Sequence, residues 1–286
     1  MKTLLWGTRT FIMGILNLTP DSFSGDGLLR SGNPLQSAVE QAHQFVQEGA
    51  DILDLGAESS RPGSETISAE QEIERLLPAL QTIRPAFPDI LISIDTYKAE
   101  TARICLENGA DWINDIWGLK ADAKLAKVIA DQHANVVLMH NRTHESKVRD
   151  LGALGRTYSG VQYGSLGDIV ADLAESIAIA KKAGVPDENI IIDPGIGFGK
   201  NTETNLAIIK NLDIFKGLGF PVLIGPSRKS FIGQVLDLPV EEREEGTAAV
   251  VAIGIAHGAD IVRVHNVRAI ARVVHMSDAI VRGMSD

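Results

Sequence analysis

With one cysteine, Cys105, in 286 residues, the chain cannot build a disulfide framework or a cysteine metal site. Cys105 falls within the apolar pattern of a predicted helix, the setting of a buried and unreactive thiol. Long hydrophobic runs are missing too, so no segment is expected to span a bilayer. Lys2 followed by apolar residues imitates a signal peptide, but Arg9 interrupts that run and no small-residue cleavage site follows. The cytoplasm is therefore the expected location. Positive charge is in deficit: 27 Lys and Arg stand against 37 Asp and Glu, a net charge of -10. That balance argues against a general binder of nucleic acid or anionic membrane, while leaving room for a local basic pocket for an anion. No linker, low-complexity tract or charge block divides residues 1–286, so one domain is expected. No Gly-x-Gly-x-x-Gly opens a helix after the first strand, where a dinucleotide fold would need it.

What is present is a soluble globular composition, 44% hydrophobic and 22% charged, with a recurring unit. Short apolar runs at 11–17, 51–55, 90–95, 112–116, 135–139, 189–193, 221–225 and 260–265 read as strands. Between them, helical periodicity covers 34–48, 69–87, 98–108, 121–132, 166–183, 202–216, 242–257 and 267–282. Strands alternating with helices imply a parallel sheet. Eight such units suit a closed (β/α)8 TIM barrel, with an open doubly wound sheet as the alternative.

Residues two apart in a strand share a face. If the last polar residue of each run points inward, the ring at the C-terminal mouth is Asn17, Asp54, Asp95, Asn114, Asp193 and Arg263, completed by Met139 and Gly225. His265 lies two beyond Arg263. Ile94, Ile113, Ile192 and Val262 then face the helices, and active sites of this fold sit at that mouth. Asp95, Asn114 and Asp193 offer carboxylate and amide groups suited to the amino-pyrimidine edge of a flat, nitrogen-rich heterocycle, on whose faces Met139 and Phe198 could pack. Asp193 opens a turn in which Pro194, Gly195, Gly197 and Gly199 let the backbone bend closely, although Asp-Pro-Gly is also ordinary turn chemistry. The run Gly225-Pro226-Ser227-Arg228-Lys229-Ser230 follows a strand and opens a helix. With Arg263 and His265 it forms a basic corner for phosphate or pyrophosphate, or else Arg228 and Lys229 are a solvated pair. The polar loops 17–27 and 58–65 read as mobile lids. Residues 140–164, rich in charge, Gly and Tyr, suggest no specific chemistry.

Met13-Gly14-Ile15-Leu16-Asn17-Leu18-Thr19-Pro20-Asp21-Ser22-Phe23-Ser24 and Glu58-Ser59-Ser60-Arg61-Pro62-Gly63 resemble the two leading signatures of the dihydropteroate synthase family of folate biosynthesis. Asp95, Asn114-Asp115-Ile116, the run from Asp193 to Lys200, Ser227-Arg228-Lys229-Ser230 and Arg263-Val264-His265 follow in the family's order. Ser60 stands where the family more often has threonine, and 143–164 does not match well. The resemblance implies a (β/α)8 barrel that joins p-aminobenzoate to 6-hydroxymethyl-7,8-dihydropterin pyrophosphate, with Mg2+, releasing pyrophosphate. It places Asp95, Asn114, Asp193 and Lys229 on the pterin, with Met139 and Gly197 in the substrate pocket. Asn17 contributes to the Mg2+ site, and Arg263, His265 and Ser60 contact the diphosphate. Phe23, Arg61, Pro62, Phe198 and Ser230 shape the aminobenzoate pocket. The catalytic roles fall to Lys229, Asp95, Asp193 and Arg263, and a homodimer is implied. Two alternatives share the pterin-reading acids: the barrel of corrinoid methyltransferases, and a pterin-binding paralogue without turnover.

Overall fold

All eight apolar runs are strands in the computed structural model, which describes residues 4–18, 34–145, 147–161, 163 and 165–283. They are β1 (Phe11–Asn17), β2 (Ile52–Gly56), β3 (Leu91–Asp95), β4 (Trp112–Asp115), β5 (Asn135–Met139), β8 (Ile190–Asp193), β9 (Leu223–Ile224) and β10 (Ile261–Val264). They pair in parallel in the order β8-β5-β4-β3-β2-β1-β10-β9. A parallel bridge between Ile192 and Val222 then joins the two ends. The open-sheet alternative falls with that bridge, and the architecture is a (β/α)8 barrel.

Alternation along the strands divides the core in two. Phe11, Met13, Ile52, Leu91, Trp112, Val137, Ile191, Leu223 and Ile261 fill the barrel interior, with Leu4 and Trp6 packed against them. Ile94, Ile113, Ile192 and Val262 belong to the larger layer under the helices. Each fully buried Ile or Leu in these layers stabilises the fold by about 1.5–3 kcal/mol.

The helices are α1 (Pro34–Gln47), α2 (Ala69–Ala86), α3 (Ala99–Glu107), α4 (Leu125–Asp131), α5 (Leu166–Ala183), α6 (Thr202–Lys210), α7 (Leu212–Lys216), α8 (Ser230–Leu236), α9 (Glu244–Ala256) and α10 (Val267–Val281). Local chemistry sets their ends. Ser165 and Asp168 form a capping box before α5, and Gly184 closes it in the left-handed conformation at φ 99°. Helix α4 is shorter than its periodicity suggests, because the Asp122 carboxylate accepts from Ala99 N at 2.9 Å and from Lys124 N at 3.0 Å. Asp122 thus caps a neighbour instead of extending its own helix. The expected helix 202–216 is two helices. At Asn211 (φ -126°, ψ 41°) the chain leaves helical geometry, and its side-chain amide donates to Ala207 O at 2.7 Å. A polar side chain that competes for backbone acceptors breaks the run there.

Residues 140–164 hold an element that the sequence did not suggest, an antiparallel hairpin of β6 (Lys147–Asp150) and β7 (Arg156–Ser159). Among the described residues, no helix is long and apolar enough to cross a membrane.

Candidate active site

Strand register brings the mouth residues together. Asp95 pairs with Asn114 across β3 and β4, and Met139 with Asp193 across β5 and β8. Asp54 lies one layer deeper, level with Ser93, and is fully buried. Its Oδ2 accepts from Asn114 Nδ2 at 3.1 Å and from Arg263 Nε at 2.6 Å, while Arg263 Nη2 donates to Asp95 Oδ2 at 2.7 Å. One guanidinium therefore links two carboxylates. Burial opposes its charge, yet Asp54 and Asp95 hold Arg263 above its ordinary range. Burial pushes the Asp95 carboxyl up, against the pull of Arg263, and the Asp54 and Glu72 charges add to the rise. Arg263, expected to face a diphosphate, is committed in this structure to Asp54 and Asp95.

Asp193 ends β8, and its Oδ1 accepts from Gly195 N at 2.7 Å. Burial pushes its carboxyl up to about 6, against the Gly195 N–H and the charges of Lys200 and Lys229. The following turn wraps around the ammonium of Lys200, which is 2% exposed and donates to Gly195 O at 2.8 Å, Phe198 O at 3.0 Å and His140 O at 3.3 Å. Burial drops Lys200 to about 7. The wrap requires glycine at two places. Gly195 stands at φ 70° with its missing Cβ position 1.9 Å from His140 O, and Gly197 at φ 84° with that position 2.8 Å from Lys229 Cδ. Any side chain at Gly197 would displace the Lys229 stem. The Lys229 Nζ lies 4.2 Å from the centroid of the Phe198 ring, a cation–π contact. Burial lowers Lys229 to about 8, helped by Arg263 and opposed by Asp193 and Asp95.

The two adjacent cations of the Ser-Arg-Lys-Ser run part company. Lys229 lies within electrostatic reach of Asp193 and Asp95, whereas Arg228, at φ 57°, places its Nε 3.5 Å from Glu244 Oε2. In the basic corner, His265 Nδ1 is 2.9 Å from Ser227 Oγ while its backbone N donates to the same oxygen at 3.3 Å. That arrangement suits the tautomer with the proton on Nε2. Burial, with Arg228, Arg263 and Lys229 nearby, lowers His265 to about 3, so the ring is held neutral.

Ser60, Arg61 and Pro62 follow β2 on a loop whose stem is stapled. The Glu58 carboxylate accepts from Lys98 Nζ at 2.5 Å, Tyr97 Oη at 2.9 Å and Ile67 N at 3.2 Å. Arg61 is exposed at the tip. Ser230 opens α8, and Met139 and Phe198 are buried. Phe23 and the rest of the first loop from residue 19 lie outside the described residues. Asn17 ends β1, half-buried and in register with Gly56. Among the described residues no group of three or more His, Cys, Asp or Glu could hold a metal. A lone amide oxygen at the rim suits Mg2+, which takes few protein ligands and fills its shell with water and phosphate oxygens.

Three features were not assigned roles from the sequence: Asp54 as the hub between Asn114 and Arg263, Lys200 as the centre of the glycine turn, and the hairpin. Asp54 could be placed on the inner face by strand period, but its partners lie on other strands. Lys200 gave one faint signal, a lysine closing a glycine run with no acid next to it in sequence.

A mouth with paired carboxylates and an amide for a flat heterocycle, next to Lys229, defines a class. The family described as pterin binding enzyme matches residues 13–265, and the chain belongs to that family. Within it, the chain is 48% identical to the dihydropteroate synthase of Bacillus subtilis over 97% of its length and 91% of that protein. It is 50% identical to the dihydropteroate synthase of Clostridium beijerinckii, over 96% of each chain. The crystal structure of a dihydropteroate synthase from Clostridium difficile in the presence of pteroic acid superimposes with a TM-score of 0.88 at 41% identity, covering 98% of this chain and 100% of that one. That of Xanthomonas albilineans with 4-aminobenzoic acid gives 0.85 at 33%, covering 97% and 94%.

Proposed function

We infer that the chain is a dihydropteroate synthase, joining p-aminobenzoate to 6-hydroxymethyl-7,8-dihydropterin pyrophosphate and releasing pyrophosphate. The observation that carries the reading is the convergence of Asp95, Asn114, Asp193 and Lys229 at one end of the barrel. Asp193 accepts from the amino-pyrimidine edge of the pterin, Asn114 supplies an amide, and Asp95 accepts from a ring N–H. For that, Asp95 gives up Arg263 Nη2. Arg263 stays seated on Asp54 and turns its released N–H groups to the diphosphate, where His265 adds a donor. Serving two partners in turn reconciles the observed bond to Asp95 with a diphosphate role.

In the reaction the bond between the pterin methylene carbon and the diphosphate oxygen breaks, and the electron pair leaves with pyrophosphate. The amine lone pair of p-aminobenzoate forms the new carbon–nitrogen bond, and that nitrogen loses a proton to water. Positive charge that develops on the pterin methylene is stabilised by the Asp95 and Asp193 carboxylates, and no enzyme nucleophile is needed. Lys229, held near Asp193 and Asp95, keeps the pterin seated. Phe198, Ser230, Arg61, Pro62 and Phe23 shape the aminobenzoate pocket, with Ser60 at the diphosphate. Mg2+ on the Asn17 oxygen would neutralise the leaving diphosphate charge. An assay of pyrophosphate release should need both substrates and lose activity on chelation. Release with the pterin substrate alone would overturn the synthase reading.

The chain also reads as a cytoplasmic homodimer. Ile253 on α9 and Met276 and Ile280 on α10 are exposed on two helices that pack together, an apolar face suited to a second copy. Sedimentation at micromolar concentration should give twice the chain mass.

A further inference from the structure

The β6–β7 hairpin contributes little to the core. All four residues of β6 are exposed and β7 is at most half-buried. It stands off the barrel, leaving a cavity of about 290 Å3 between Thr157, Ser159 and the turn 199–201. Polar contacts hold it, and they run to the loops that carry second-substrate residues. Tyr158 Oη donates to the Ser60 carbonyl at 3.5 Å, and the Arg156 and Val148 side chains lie over Gly63. At the hairpin turn, Arg243 Nη2 donates to Leu154 O at 3.1 Å, while Nη1 of the same buried guanidinium donates to Arg228 O at 3.1 Å. Between these two anchors, Ser230 Oγ bonds Thr157 Oγ1 at 3.3 Å.

We propose that Thr157 is a positioning residue for the second substrate, turning the Ser230 hydroxyl onto the carboxylate of p-aminobenzoate. The proposal rests on the reading of Ser230 as part of the aminobenzoate pocket. That substrate has one anion, and a serine hydroxyl has one proton to give it. As found, Ser230 spends its proton on Thr157. With a carboxylate present the bond reverses: Thr157 donates to Ser230, and Ser230 donates to the carboxylate. The two links polarise each other, and the hairpin, tied to both loops, fixes where the chain of bonds starts. Among the described residues, no hydrogen bond joins Thr157 to Asp95, Asn114, Asp193 or Lys229; its side-chain bond is the one to Ser230.

Thr157→Val removes the hydroxyl at nearly constant volume, and the exposed hairpin has little core to lose. It should raise the KM for p-aminobenzoate about threefold to tenfold while kcat, the KM for the pterin pyrophosphate and the melting temperature stay put. Thr157→Ser should restore the wild-type value, and Thr157→Val should add nothing in a Ser230→Ala background. A wild-type KM in Thr157→Val, or equal rises in both KM values, overturns the proposal. If Ser230→Ala alone leaves the KM for p-aminobenzoate unchanged, the pocket assignment of Ser230 fails, and the proposal with it. If Ser230→Ala raises that KM and Thr157→Val does not, only the proposal fails.

Discussion

Asp193 is kept at the mouth at the expense of stability. Its carboxyl is raised in the folded protein from an ordinary 3.8 to about 6 by burial, so folding favours its protonated form. The stabilising contribution of that form is complete below about pH 4 and is lost as pH rises through about 6. Pterin binding needs the opposite, an ionised acceptor, and should weaken as pH falls through about 6. Asp193→Asn keeps an oxygen for the Gly195 N–H but sets an amide donor against the donors of the pterin, costing about 1–3 kcal/mol of binding. Calorimetry should show pterin affinity down roughly tenfold or more, with thermal stability at neutral pH equal or higher. Arg263 is the converse case, because removing it strands the buried Asp54 and the half-buried Asp95 carboxylates. Arg263→Lys keeps the charge, but one ammonium cannot reproduce the fork to Asp54 and Asp95. It should lose roughly tenfold in affinity for the pyrophosphorylated pterin and much less for the free pterin alcohol, measured side by side by titration. The inward set, Asp54 and Arg263 included, was legible because strand period is two. Which members bond was not, since those pairs depend on register among β2, β3, β4 and β10, and a single strand's sequence does not record its neighbours.

Among the elements, the loop after β2, read from the sequence as a lid, is aimed by its stem. Glu58 ties both of its ends down, taking Lys98 and Tyr97 on one side and Ile67 N on the other, which leaves 59–66 as the span free to move when the loop opens. Glu58→Gln should replace the ion pair with Lys98 by at most a neutral hydrogen bond and cost about 1–3 kcal/mol of stability. Limited proteolysis should then cut within 59–66 faster, and the KM for p-aminobenzoate should rise more than that for the pterin. An unchanged cleavage rate would place the anchor elsewhere. The motif flagged this loop as a lid, but Glu58 read only as part of a signature. The hairpin was illegible for a different reason. Strand reading relies on one apolar face, and Lys147–Asp150 has none; its pairing is set by the loops it spans. Helix ends were read well where caps are local, as at Ser165 and Gly184, and missed at Asn211, where a side chain outcompetes the periodicity.

At the scale of the whole molecule, the eight-unit plan was fully visible in the alternation of apolar runs and helices, because burial on both faces leaves a strong mark on sequence. Closure was not, since it rests on a feature a few atoms wide. Seven joints of the barrel are ladders of two to five residue pairs, and the eighth, between β8 and β9, is the thinnest, where the Ile192–Val222 bridge and a bond from Ile192 N to Pro221 O at 3.0 Å do the joining. A vessel breathes first at its thinnest seam. Amide exchange at Ile192 should therefore outpace that at Leu53, within the five-residue β1–β2 ladder. The seam also divides the tools of the site: Asp193 stands on one lip and Lys229, beyond β9, on the other. A pterin held by both, as proposed above, would act as a clasp across the gap. Saturating pterin and pyrophosphate should slow exchange at Ile192 more than at Leu53, so the substrate completes the wall that holds it.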